Sequence, residues 1–158
     1  MELNYDNIIN VMLIIYFVVN TIMDVKYREI PISFCVVIAI SALLLQITFS
    51  TGFTEYIITA AVLILVYFIQ ALISEGGGDV IMMGVFGFCI GAMGSIISIA
   101  CSGIYILIYI MYKKIKHKRK IKEEYPVAPF IAAGFATYLI VGYTGLLNHA
   151  LQAIYNIL

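Results

Sequence analysis

The chain has few charged residues: only 11% of its 158 residues are Asp, Glu, Lys or Arg, whereas 63% are hydrophobic. A soluble domain of this size could not bury that much apolar surface, so the composition excludes a soluble globular fold. Only helices and closed barrels can form all their backbone hydrogen bonds in lipid. The apolar runs lack the alternation of polar and apolar residues that barrel strands have. The composition therefore predicts a single all-α, polytopic membrane domain over residues 1–158.

Cysteine and histidine are also scarce. The three cysteines lie singly inside apolar runs, so they suggest neither a disulfide framework nor the CxxC spacing of a zinc site. The two histidines, His117 and His149, each stand alone. This pattern implies no metal and no cofactor. The stretch MELNYDN contains acids but no basic residue, so an ordinary cleavable signal peptide is not expected.

All nine basic residues fall in two places. Lys26 and Arg28 follow the first apolar run, and the other seven lie in a predicted loop between Lys113 and Tyr125. Basic residues concentrate in the cytoplasmic loops of membrane proteins, so this distribution indicates topology and not a nucleic-acid partner. The segment from Lys113 to Lys122 could also contact anionic lipid head groups.

Six apolar segments predict about six transmembrane helices. Their ranges are about 8–23, 32–49, 56–73, 80–91, 96–112 and 127–143. A tight turn is expected at AMGS, residues 92–95, near Gly94, and a short interfacial helix in residues 144–158. If the end with Lys26 and Arg28 is cytoplasmic, six crossings place both termini outside and every basic residue inside. We therefore expect a multi-pass protein of the cytoplasmic membrane.

Two aspartates stand at the same depth on the cytoplasmic side in this topology. Asp24 ends the first segment, and Asp79 begins the fourth. Carboxylates at a lipid boundary are costly and are usually functional or paired. Two carboxyls that meet can share a proton, so that one activates water against a peptide carbonyl and the other supports the carbonyl oxygen. The helix dipole is expected to favour the ionised form of Asp79.

Three consecutive glycines precede Asp79 in the stretch SEGGGDV. Gly76, Gly77 and Gly78 allow a sharp turn and a close approach of the backbone to an extended substrate. The stretch lacks the Lys-Ser/Thr of a phosphate loop and the oxygen ligands of an EF-hand. Two plainer interpretations stay open: a flexible turn that Asp79 caps, and an interface anchor in the case of Asp24.

Three motifs together resemble the signatures of the type IV prepilin peptidases, which belong to the GxGD membrane aspartyl proteases. TIMDVKYREIP is similar to the family's aspartate, basic stretch and Ile-Pro-Asn. EGGGDVIMMGVFG is similar to its GxGD motif at the start of a helix. YPVAPFIAAG looks like its Pro-x-x-Pro-Phe segment. The motifs occur in the family order and span the chain from Asp24 to about Gly134.

The resemblance implies an aspartic endopeptidase that cuts the short basic leader of prepilin-like or preflagellin-like proteins at the cytoplasmic face. Asp24 and Asp79 would be its catalytic pair. The residues that the resemblance assigns to substrate positioning and to the adjoining turns are Gly76, Gly77, Gly78, Pro31 and Pro129. The chain lacks the cysteine-rich insert and methylating domain of larger members, so it looks like the compact, peptidase-only kind that serves Flp/Tad pili or archaeal flagellins.

The sequence departs from the family pattern at two positions. Ile32 stands where the asparagine after Ile-Pro is usual, and Ile81 stands where a lysine commonly follows the GxGD aspartate. Two other classes of function therefore remain open. One is a non-catalytic scaffold derived from a peptidase. The other is a small cation or solute carrier that uses Asp24 and Asp79, although few other polar residues lie deep in the apolar segments.

Overall fold

The computed structural model describes residues 4–49, 52–74, 77–117 and 126–144. These ranges contain five α-helices and no strand, so the predicted all-α class is confirmed. In chain order the helices are α1 (Tyr5–Tyr27), α2 (Ile32–Thr48), α3 (Phe53–Ser74), α4 (Gly77–His117) and α5 (Ala128–Tyr143). Gly76, the later part of the basic segment and the predicted interfacial helix from residue 145 onwards lie outside the described residues.

Within the described ranges, three helices are long and apolar enough to cross a membrane: Tyr5–Tyr27, Phe53–Leu72 and Gly77–Lys116. The apolar helices α2 and α5 are shorter, at 17 and 16 residues. Large aliphatic side chains cover the outside of α3, where Leu65 is 60% and Leu72 is 72% exposed. Because exposing such a surface to water is unfavourable, the surface indicates contact with lipid.

Helix α1 ends one turn later than the apolar pattern predicts. It continues past Asp24 to Tyr27 and stops where Arg28 adopts a left-handed backbone conformation with φ 58°. The Arg28 amide donates to the backbone carbonyl oxygen of Asp24 at 3.1 Å, which closes the last turn. Asp24 is therefore held inside a helix and does not lie in the loop that follows it.

The carboxyl end of α4 extends into the segment predicted as a basic loop, so that prediction is wrong for its first residues. Lys113, Lys114 and Lys116 are helical. The ammonium group of Lys116 lies 5.4 Å from the centre of the Tyr112 ring and donates to its hydroxyl oxygen at 3.1 Å. Lysine is a good helix former, and such contacts support a helix beyond the end of the apolar run.

Helix α4 is interrupted at Gly91, whose backbone is non-helical with φ 73° and ψ −173°. This conformation is nearly exclusive to glycine. We call residues 77–90 the first arm of α4 and residues 92–117 the second arm. A turn interrupts the predicted region, but it lies at Gly91 and not at AMGS, because residues 92–95 are helical.

The two arms of α4 run in opposite directions, so the chain folds back at Gly91. The first arm is antiparallel to α1, α1 is antiparallel to α5, and the second arm is also antiparallel to α5. The contacts that establish these directions are Tyr5–Cys89, Tyr16–Met82, Asp24–Ala128, Phe17–Phe135, Gly94–Tyr138 and Tyr109–Phe130. Consequently the end of α1, the start of α4 and the start of α5 lie at one end of the bundle.

The break at Gly91 leaves backbone groups without partners inside the helix, and side chains of three other helices bind them. Helices α1 and α2 each supply a donor for a carbonyl oxygen of the first arm, and α3 supplies a carboxylate for the first amide of the second arm. The pairs are Tyr5–Cys89 (3.5 Å), Gln46–Phe88 (2.7 Å) and Glu55–Ala92 (3.2 Å). Unmade hydrogen bonds are costly away from water, so these bonds help to fix the turn.

A cluster of three phenylalanine rings fills the centre of the bundle. Phe17 of α1, Phe86 of the first arm and Phe135 of α5 are buried, and their ring centroids lie 5.2, 5.4 and 5.9 Å apart. Beside them, the buried hydroxyl of Tyr16 donates to the carbonyl oxygen of Met82 at 3.0 Å. These contacts hold α1 and α5 against the first arm.

Gly91→Ala should destabilise the fold by about 1–3 kcal/mol, because a side chain is strained in this backbone conformation. The added Cβ would also lie 3.2 Å from Oε1 of Glu55. Gly103→Ala is the matched control, since a Cβ at helical Gly103 meets nothing within 4 Å. Chemical unfolding in detergent micelles measures both variants. Equal stability of the two would contradict a turn fixed by Gly91.

Candidate active site

The structure brings Asp24 and Asp79 to the same end of the bundle. Asp24 lies in the last turn of α1 and is 8% exposed, and Asp79 is the third residue of α4 and is partly buried. The two carboxyls lie close enough for the charge of one to act on the other. We call them the aspartate pair. Residues that are distant in the sequence thus converge because α1 and the first arm are antiparallel neighbours.

The Asp24 carboxylate is bound by the first amide of α5. The Ala128 amide donates to Oδ2 of Asp24 at 2.9 Å, and both residues are buried. The first amides of a helix have no partner inside that helix, and the helix dipole stabilises a carboxylate placed there. Asp24 therefore joins the end of α1 to the start of α5.

The first two sequence motifs touch through Ile30 and Gly78. A Cβ on Gly78 would lie 3.0 Å from the Cβ and Cγ1 atoms of Ile30, which is closer than ordinary van der Waals contact. A Cβ on the neighbouring Gly77 would meet nothing within 4 Å. Gly78 therefore has a packing role inside the protein, and its contact with a substrate stays a prediction.

The two prolines predicted near the site both lie at helix starts. Pro31 is the residue that precedes α2, with an extended backbone at φ −74°, and Pro129 is the second residue of α5. Proline is well tolerated at such positions because the first amides of a helix have no partner inside it. Their role in shaping the adjoining turns around a substrate stays a prediction.

Two further polar side chains lie near the aspartate pair and were not predicted as site residues. Tyr67 of α3 is close enough to Asp79 for an electrostatic interaction. Asn20 is fully buried one turn before Asp24 and donates to the carbonyl oxygen of Tyr16 at 2.8 Å. The helical spacing of Asn20 and Asp24 was a usable signal for a shared face, whereas no pattern in the sequence placed Tyr67.

An apolar cavity of about 450 Å³ opens between α2, α3 and the first arm of α4. Its lining includes Val80 and Ile81, which directly follow Asp79, and the small side chains of Ala39 and Ala60. Ile81, which stands where the prepilin peptidases commonly have lysine, therefore contributes to an apolar surface. The cavity thus begins at residues that are adjacent to Asp79 in the chain.

The arrangement suits acid–base chemistry on a polar bond. One carboxyl of the aspartate pair can accept a proton from water while the other donates a hydrogen bond to a carbonyl oxygen. Within the ranges that the structure describes, no group of three or more His, Cys, Asp or Glu side chains is placed to hold a metal ion.

Comparisons with known proteins identify no relative of this chain. No model of a known protein family matches the sequence, and neither a curated protein nor a solved structure matches it. The resemblance to the prepilin peptidases therefore rests on the three motifs. The contacts that join these motifs come from the structure.

Gly78→Ala should lower the stability of the protein, because the added methyl group presses against Ile30. Overpacking of this kind typically costs about 1–3 kcal/mol. Gly77→Ala should leave stability unchanged or raise it, because its Cβ points into open space. Thermal unfolding of both variants in detergent measures the difference. The contact between the two motifs is wrong if both alanines have the same effect.

Proposed function

We propose that this chain is a membrane-embedded aspartic endopeptidase that cuts the basic leader of prepilin-like or preflagellin-like proteins at the cytoplasmic face of the cell membrane. The observation that carries the proposal is the convergence of Asp24 and Asp79 at one end of the bundle. The third motif supports it, because its first helical amide binds Asp24. Three motifs that resemble the signatures of one family thus lie together, as the parts of one site would.

In the proposed reaction the aspartate pair holds one proton between its two carboxyls. The ionised carboxylate takes a proton from a water molecule as the water oxygen attacks the scissile carbonyl carbon. The protonated carboxyl donates a hydrogen bond to the carbonyl oxygen, and the pair then supplies the proton that the leaving amine requires. One water is consumed, and the products are a leader with a new carboxylate and a shortened protein with a new amino group.

The apolar cavity supports a substrate with an apolar segment beside the cleaved bond. Its lining includes Val80 and Ile81, so an apolar segment packed there would lie beside the start of α4, the helix that carries Asp79. The basic leader of the same substrate would then remain at the cytoplasmic end of the bundle. This placement fits a peptidase that receives its substrate from the membrane.

We propose six membrane crossings, with the two arms of α4 counted separately and both termini outside. The opposite directions of the two arms support this count. At about 1.5 Å per residue, the first arm is about 21 Å and α5 about 24 Å long, so both are shorter than a hydrocarbon core of about 30 Å. Local thinning of the bilayer accommodates such helices. Lys113, Lys114 and Lys116 then lie at the cytoplasmic surface, where they can contact anionic lipid.

Single cysteines at two exposed positions test this orientation. Thr54 lies near the start of α3 and Lys114 near the end of α4, and both side chains are exposed. A membrane-impermeant maleimide should label Thr54→Cys in intact spheroplasts. It should label Lys114→Cys only after the spheroplasts are lysed. The parent chain, whose cysteines lie inside helices, gives the background. Labelling of Lys114→Cys in intact spheroplasts would contradict the proposed orientation and indicate the opposite one.

Asp24→Asn and Asp79→Asn should each reduce cleavage roughly 100- to 10,000-fold, which is the usual contribution of a general acid or base. Asp6→Asn is the matched control, because Asp6 lies in the first turn of α1, at the opposite end of the bundle. Each variant is co-expressed with candidate prepilin-like proteins from the same genome. Mass spectrometry then detects loss of the leader, once immunoblots show equal amounts of each variant in the membrane.

The outcomes separate the parts of the proposal. Cleavage by the wild type and by Asp6→Asn, with loss in both other variants, supports an aspartate mechanism. Full cleavage by Asp24→Asn or Asp79→Asn contradicts that mechanism. If the wild type cleaves none of the candidates, the peptidase proposal fails.

A further inference from the structure

The proposed reaction gives no role to the Ala128 amide, which donates to Oδ2 of Asp24 at 2.9 Å. Ala128 is 0% and Asp24 is 8% exposed, so solvent does not readily replace this bond. A hydrogen bond between a backbone amide and a carboxylate is charge-assisted and stronger than one between neutral groups. The bond therefore constrains the side chain that the proposed reaction depends on.

The direction of this hydrogen bond distinguishes the two oxygens of the Asp24 carboxyl. A backbone N–H can only donate, so Oδ2 acts as the acceptor toward α5. Oδ1 is the oxygen that this bond does not occupy. The backbone of α1 holds the other end of the side chain, since Asp24 lies inside the last turn of that helix. The carboxyl plane is thus fixed from two sides.

Asp79 is held differently. It lies in the first turn of α4, directly after Gly77 and Gly78, where it is partly buried and feels the charge of Asp24. Asp24 is therefore anchored by a backbone donor, whereas the packing of Gly78 against Ile30 places the helix start that carries Asp79.

The segment around Ala128 is suited to presenting this amide. Pro126 and Pro129 lie on either side of it, and each proline fixes its own backbone φ near −65°. Neither proline has a backbone N–H. Ala128 is the first residue of α5 and therefore contributes the first N–H of that helix. Its methyl group is fully buried, which leaves little freedom for the peptide to rotate.

We infer that the Ala128 amide is a positioning group of the active site, which holds Oδ2 of Asp24 so that Oδ1 faces Asp79 and the attacking water. Its effect on catalysis rests on the proposed peptidase function. The contact itself does not, because it links α1 to α5 whatever reaction the protein performs. The start of α5 thereby belongs to the catalytic apparatus.

The contact is tested first without any assay of activity, by thermal unfolding in detergent. Asp24→Ala removes the acceptor, whereas the amide oxygen of Asp24→Asn can still accept from Ala128, and both variants lack the charge. Asp24→Ala should therefore have a lower Tm than Asp24→Asn. Asp79→Ala and Asp79→Asn form the matched pair and should differ much less from each other. A Tm equal in Asp24→Ala and Asp24→Asn would overturn the inference.

The positioning role is tested by an amide-to-ester exchange. Replacing Ala128 by its α-hydroxy analogue, lactic acid, removes one N–H and keeps the side chain. The kcat for a cleaved prepilin-like substrate should fall roughly 10- to 100-fold, while KM changes less than about twofold. The control is the α-hydroxy analogue of Phe130, whose amide donates to the carbonyl oxygen of Val127 and not to Asp24. That control should retain most of the kcat.

The two experiments distinguish failure of the inference from failure of the proposed function. An unchanged kcat in the Ala128 ester overturns the positioning role, even if the unfolding data support the contact. An equal loss of kcat in both esters also overturns it, because the effect would then reflect the stability of α5. If the wild type cleaves no candidate, the proposed function fails, and the unfolding comparison still decides whether Ala128 holds Asp24.

Discussion

Helix ends determine how this chain packs, because a bundle with an apolar exterior offers its backbone groups little water. At Gly91 the groups left without helical partners are bound by side chains of α1, α2 and α3. At the start of α5 the amide of Ala128 is bound by Asp24 of α1. Each of these bonds joins the end of one helix to a different helix. Satisfying the backbone therefore also fixes the arrangement of the bundle.

The need to pair backbone groups also places a carboxyl group where a reaction could use it. A buried carboxylate is costly unless a donor compensates for its lost hydration, and the free amide at a helix start is such a donor. Asp24 therefore stabilises the fold through one oxygen and leaves the other available. Asp79 approaches it because Gly78 lets the start of α4 pack closely against Ile30. In this arrangement the packing of three helix ends and the proposed catalytic geometry depend on the same few contacts.

The sequence was most informative about the aspartates and least informative about the helix ends. The count of apolar segments and the clustering of basic residues were enough to predict that Asp24 and Asp79 lie at one end of the bundle. Pro31 marked the start of α2 at Ile32. The contact between Ala128 and Asp24 was not predictable. Every residue except proline has a backbone N–H, so the residue type does not mark this donor, and the contact depends on how α1 and α5 pack. Helix α4 extends beyond its apolar run because lysine has good helix propensity.

The central claim is that Asp24 and Asp79 act as one coupled pair. The chain contains three aspartates, the third being Asp6, so ¹³C labelling of aspartate carboxyl carbons yields three signals that single Asp→Asn variants assign. The measurement is the pH titration of these signals by NMR in detergent micelles. Coupling predicts that Asp24→Asn alters the titration of Asp79 and that Asp79→Asn alters that of Asp24, whereas Asp6→Asn alters neither. Independent titration of the two would contradict the account.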